Sequence, residues 1–128
     1  MSALSLSHRR VAAGEVISVI TIAGEVDAST SADLETYLDR VRRRLDEHLV
    51  VDVSELTFLD SSGLAVLLAA AMLARVHGAG VHLAGVRPRV ARLLQITGAD
   101  RAVTVHDHVE QALAAVERYD RAEPTEPA

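Results

Sequence analysis

Residues 49–53, Leu-Val-Val-Asp-Val, form a short apolar run broken only by Asp52. A strand that apolar along its length needs cover on both faces, as the central strand of a sheet packed under helices has. The flanking pattern supplies the cover. Leu4 and Leu6 open an edge strand that is interrupted by His8-Arg9-Arg10. After Gly14-Glu15, the β-branched run 16–23 reads as a second strand ending at Gly24. Leu34, Leu38, Val41 and Leu45 then recur at helical spacing, with Tyr37 beside them. Asp39, Arg40, Arg42, Arg43, Arg44 and Glu47 give that helix a solvated face, with Asp39–Arg43 and Arg43–Glu47 spaced as i,i+4 pairs.

Beyond the apolar run, residues 54–59 read as a connection, and a second helix begins around Asp60-Ser61-Ser62-Gly63 and runs to His77, stopped by Gly78 and Gly80. Residues 81–86 are strand-like. Pro88 fits the first position of a third helix that turns Val90, Leu93 and Leu94 inward and stops at Gly98. Residues 102–106 give a last short strand, and Val109, Ala112, Leu113 and Val116 mark a final helix. Two opening strands followed by helix–strand alternation define an α/β domain: a mixed β-sheet of four to five strands with about four α-helices packed on it.

A chain of 128 residues builds one such domain and not two. The domain is expected over residues 1–119. Residues 120–128, with Pro124 and Pro127 among acids and alanines, are expected to be a disordered C-terminal tail. Without cysteine there is no disulfide, thiolate metal site or cysteine nucleophile. All 13 basic residues are arginine, which removes a P-loop, a Schiff-base enzyme and a receiver domain's lysine. A net charge of −5 and 2% aromatic residues argue against a nucleic-acid partner. The most apolar run, 64–74, lies between Asp60 and Arg75 and falls short of the about 20 residues a membrane span needs. With no secretory apolar region near the N-terminus, no membrane association and a cytoplasmic location are expected.

The sharpest local signal is Phe58-Leu59-Asp60-Ser61-Ser62-Gly63-Leu64, two hydroxyls and a carboxylate where a strand hands over to a helix. One reading is capping, in which Asp60, Ser61 or Ser62 accepts from the first free N–H groups. Another is regulation, because a phosphoserine at a helix N-terminus is favoured by the dipole and does not melt the helix. The following helix has a buried stripe of Leu64, Leu67, Leu68 and Ala71, yet Val66, Ala70 and Leu73 extend its apolar character around the cylinder. Either both faces are covered internally or an apolar patch lies open beside Ser61.

These residues resemble a STAS domain of the anti-sigma factor antagonist (anti-anti-sigma) type. The resemblance covers Leu4 to about Arg118 and rests on three pieces in order. They are Val51-Asp52-Val53 with Leu56 and the stretch from Phe58 to Leu64; Gly24-Glu25-Val26-Asp27 with Thr30; and Arg87-Pro88 through Arg92-Leu93-Leu94 to Gly98, followed by Val103-Thr104-Val105. Ala65 departs from the glycine many relatives carry, and Gly98-Ala99-Asp100 replaces a more usual glycine–leucine pair. The resemblance implies a partner switch. The unphosphorylated protein binds an anti-sigma factor that is also a serine kinase and so frees the sigma factor. Phosphorylation at Ser61 by that kinase releases it, and a serine phosphatase resets it. Asp27, Thr30, Asp60, Ser61, Ser62, Gly63 and Leu64 fall where the family's contact surface lies. The resemblance implies neither catalytic residues nor a cofactor. Its main alternative is a STAS scaffold subunit of a transporter or stressosome-type complex, working without obligatory phosphorylation.

Other chemistries find less support. The flanks of Ser61 and Ser62 are not a Gly-x-Ser-x-Gly elbow, and no sequence signal places His82 or His106 beside them. His106-x-His108 puts two imidazoles on one strand face without a third ligand, so no metal is expected. Asp52 reads as a hydrogen-bonded structural carboxylate.

Overall fold

The computed structural model describes residues 4–13 and 15–121. Five strands form one mixed sheet in the order of the chain: β1 (Leu4–Ala13), β2 (Glu15–Val26), β3 (Leu49–Leu59), β4 (Val81–Ala84) and β5 (Thr104–His106). The first pair is antiparallel and the other three pairings are parallel. Four α-helices connect and cover it: α1 (Ser31–Val41), α2 (Ser61–Val76), α3 (Pro88–Thr97) and α4 (Val109–Arg121). The polar run His8-Arg9-Arg10 does not interrupt β1, because antiparallel pairing to β2 continues through it. The helix α4 reaches Arg121, and residues 122–128 of the expected tail lie outside the described residues.

Side-chain alternation on the strands separates two cores. Ile20, Ile22, Leu49, Val51, Val53, Val81 and Leu83 pack against Leu34, Leu38, Leu64, Leu67, Val90 and Leu94 of α1, α2 and α3. Ile17, Val19 and Val50 on the other face meet Ala112 and Val116 of α4. Val50 and Val51 are both buried, as the apolar run requires.

Two sequence expectations change. Residues 54–59 are strand, not connection. Against β2, β3 carries two bulges, each adding one residue between Thr21/Ala23 and between Gly24/Glu25 on the partner. The extra residues shift which side chains face inward, so Val53, Leu56 and Leu59 are buried at a spacing of three instead of two. The helix predicted through Leu45 ends at Val41, and Leu45 is half exposed. Glu47 turns inward instead. Its carboxylate accepts from Ser18 Oγ (2.7 Å) and from the backbone N–H of Arg43 (3.0 Å), and lies 3.6 Å from Arg10. Arg10 in turn donates to Ser18 Oγ and to the carbonyl of Val41, the last helical residue. Neither the Asp39–Arg43 nor the Arg43–Glu47 ion pair is present among the described residues; Arg44–Asp46 forms at 2.9 Å on the surface.

Candidate functional site

The C-terminal ends of β2 and β3 lie side by side, joined by a hydrogen bond from Asp60 N–H to the carbonyl of Val26 (3.1 Å). Each end opens into a turn ordered by an aspartate. Asp60 Oδ1 accepts from Ser62 N–H (2.9 Å), Ser62 Oγ (2.5 Å) and Gly63 N–H (3.2 Å). Asp60 is therefore the N-cap of α2. Asp27 Oδ1 accepts from Ser29 N–H (2.9 Å), Ser29 Oγ (2.6 Å) and Thr30 Oγ (3.2 Å). Thr30 also accepts from Asp27 N–H through its hydroxyl (2.9 Å), which closes the turn into α1.

These hydrogen bonds set the charge of the turn. The Ser62 hydroxyl and the Gly63 N–H hold the Asp60 carboxyl below the usual carboxylate range, and the Asp27 charge nearby opposes this only in part. Ser29 lowers Asp27 in the same way. Both carboxylates are ionised at neutral pH, on two turns joined by the hydrogen bond from Asp60 N–H to the carbonyl of Val26.

Ser61 follows Asp60 at the first helical position and is exposed; its hydroxyl makes no hydrogen bond to the described residues. The capping alternatives are thus decided. Asp60 caps, Ser62 braces Asp60, and Ser61 is left facing outward. Gly63 is buried because the first turn of α2 lies directly on the strand ends: a Cβ there would fall 2.5 Å from Val26 Cγ1 and 2.6 Å from Leu59 Cδ1. Leu64 is buried beside it and anchors the helix into the core. Of the residues singled out from the sequence, Asp27, Thr30, Asp60, Ser61 and Ser62 come together on one rim, with Gly63 and Leu64 beneath it.

Sequence reasoning missed Ser29, although a signal existed. Asp-x-Ser occurs at Asp27/Ser29, Asp52/Ser54 and Asp60/Ser62, and in all three the serine N–H and Oγ both bond the aspartate. The repeat is a turn element, used at both ends of the rim and at the first bulge of β3. Asp52 is accordingly a structural carboxylate, as expected.

The alternative of a helix α2 covered on every side does not hold. Gly63, Leu64, Leu67, Ala71 and Ala74 are buried, but Ala65, Ala69, Met72 (64% exposed) and Val76 (79% exposed) form an open apolar stripe, flanked by Leu73. This stripe starts one turn from Ser61.

The model of the STAS domain family matches residues 9–112. The chain belongs to the STAS domain family. An anti-sigma F factor antagonist from Paenibacillus polymyxa is 32% identical over 102 residues, which is 79% of this chain and 87% of that protein. An anti-sigma-B factor antagonist from Staphylococcus aureus is 25% identical over 91 residues, covering 71% and 84%. The crystal structure of an anti-sigma factor antagonist from Mycobacterium paratuberculosis superposes with a TM-score of 0.71 at 28% identity, covering 88% of this chain and 94% of that one. As a STAS domain, the chain carries the rim described above at the ends of its second and third strands. Ala65 is exposed on the apolar stripe, and Ala99 packs into the main core.

Proposed function

We propose that this STAS protein is an anti-sigma factor antagonist that acts by partner switching. Unphosphorylated, it binds an anti-sigma factor that is also a serine kinase and frees the sigma factor; phosphorylation at Ser61 releases it, and a serine phosphatase restores it. The observation that carries this reading is the division of labour in Asp60-Ser61-Ser62. Because Asp60 supplies the cap and Ser62 braces it, Ser61 is exposed and dispensable for the helix.

A phosphate on Ser61 adds about −1.5 to −2 charge. The positive end of α2 tolerates it, so the fold survives. The surface does not stay the same, since the new charge joins the ionised Asp27 and Asp60 on one rim. A partner fitted to a neutral hydroxyl next to the Asp60 cap then meets a denser negative patch and loses contact with the apolar stripe that follows. Asp27, Thr30, Asp60, Ser61, Ser62, Gly63 and Leu64 are assigned to contact or to shaping of that rim. The protein itself performs no catalysis in this scheme. Its relatives carry the names of regulatory antagonists, which favours the switch over the transporter or stressosome scaffold. Action in the cytoplasm accords with the described residues, among which no helix is long and apolar enough to cross a membrane.

Calorimetric titration against the anti-sigma factor/serine kinase of the same organism tests this. Ser61→Ala is expected to bind like the parent, and Ser61→Asp or Ser61→Glu to bind roughly tenfold or more weakly. Equal affinities for all four proteins would contradict the switch.

A further inference from the structure

At the opposite end of the sheet, three imidazoles line up across neighbouring strands. His48 precedes β3, His82 lies in β4 and His106 in β5; the ring centroids are 5.6 Å apart for His48–His82 and 5.5 Å for His82–His106. His82 Nδ1 and His106 Nε2 share a hydrogen bond of 3.3 Å, and His48 Nδ1 accepts from Gly80 N–H. His82 is 5% exposed, and its Nε2 is buried with no hydrogen-bond partner among the described residues. A buried polar nitrogen left in this state is destabilising, so its retention calls for a reason.

His48 and His82 line a cavity of about 200 Å³ together with Arg75, Gly80, Thr104 and small apolar residues. No carboxylate lines it, although the chain carries 18 acidic residues and a net charge of −5. Its polar side chains are a guanidinium, a hydroxyl and two imidazoles, all able to donate. Gly80 leaves space beside the orphaned nitrogen, where a Cβ would come within 3.6 Å of His82 Nε2. Arg75 spends one Nη2 hydrogen bond on the carbonyl of Arg101 and has other donors left.

We propose that this cavity is a binding site for a small oxyanion, held by Arg75 and by the donor face of His82. The volume admits inorganic phosphate or a short-chain carboxylate and nothing of nucleotide size. The site lies at the far end of α2 from Ser61, with Arg75 fourteen residues along the helix, about 20 Å at the usual helical rise, and shares no residue with the rim. Anion binding and protonation of His82 support each other. Without an anion, burial, with His48 and His106 as neighbours, holds His82 down at about 4. The charged and titratable groups around it are His48 from the turn before β3, His106 from β5 and Arg75 from α2, with Asp107 and Arg118 acting on His106. An anion in the cavity raises His82 towards its ordinary value.

The test is a titration of the full chain at pH 6.5 with sodium phosphate, sodium propionate and, at equal ionic strength, sodium chloride, followed by the histidine ring signals in NMR. The expected result is a saturable shift of the His48 and His82 signals with phosphate or propionate and not with chloride; which of the two saturates names the ligand class. Arg75→Gln, a change on the exposed side of α2, is expected to weaken that binding roughly tenfold. The His82 titration midpoint should also rise in the saturating salt. Shifts that grow linearly and alike in all three salts, or binding that Arg75→Gln leaves unchanged, would overturn the proposal.

Discussion

Gly63 has no room for a side chain, since Val26 and Leu59 occupy the place of a Cβ. Gly63→Ala must displace the Val26 and Leu59 methyl groups or the first turn of α2 and is expected to cost about 1–3 kcal/mol. The neighbouring residues rank differently. Asp60→Ala removes the acceptor of three hydrogen bonds and lowers the melting temperature, whereas Ser61→Ala leaves it unchanged. Thermal melts of the three variants check this order, and a Ser61→Ala protein as unstable as Asp60→Ala would reassign the cap. From the sequence, Asp60, Ser61 and Ser62 were equal candidates. Composition and order do not distinguish them, because capping depends on which side chain the strand end turns back towards the helix N–H groups.

Among the elements, β3 and α1 illustrate where periodicity was sufficient and where it failed. The core run Leu49, Val50, Val51 and Val53 was legible because so short and apolar a stretch is stable in water only as a strand covered on both faces. The second half of β3 was not, because two bulges turn a period of two into a period of three. In α1, Leu45 continued the helical spacing, but Glu47 withdraws the chain into a buried cluster with Ser18 and Arg10. Tertiary contacts outweigh a local pattern of that strength. Glu47→Ala takes the acceptor from the Ser18 hydroxyl and the ion-pair partner from the Arg10 guanidinium. Its expected cost is about 3 kcal/mol, the low end for a buried pair because Arg10 keeps some contact with water. Urea denaturation measures this, and a loss no larger than that of an ordinary surface substitution would contradict the role given to Glu47.

For the molecule as a whole, acid stability follows from its histidines before its carboxylates. His82 drops from 6.5 to about 4 in the fold, chiefly through burial. Between those values the unfolded chain binds a proton that the folded chain refuses, so stability decreases as pH falls through this window, by up to about 3 kcal/mol. Asp27 and Asp60 are shifted down, so their contribution is present above the ordinary carboxylate value of 3.8 and is lost only as pH falls through their lowered values. Urea midpoints at pH 7, 5.5 and 4.5 should decline for the parent and flatten in His82→Phe; a flat parent profile would show that His82 is not held neutral by the fold. The overall architecture was readable from strand–helix alternation, and the rim from its motif. The histidine row was not, since His48, His82 and His106 are far apart in sequence and meet only through the parallel order of β3, β4 and β5. Phosphosite mapping asks whether Ser61 is the switch. The protein is incubated with ATP and an extract of its native host, alongside Ser61→Ala. One phosphate on Ser61, absent from the variant, is expected; a protein that stays unmodified, or a phosphate that persists in Ser61→Ala, would contradict the switch.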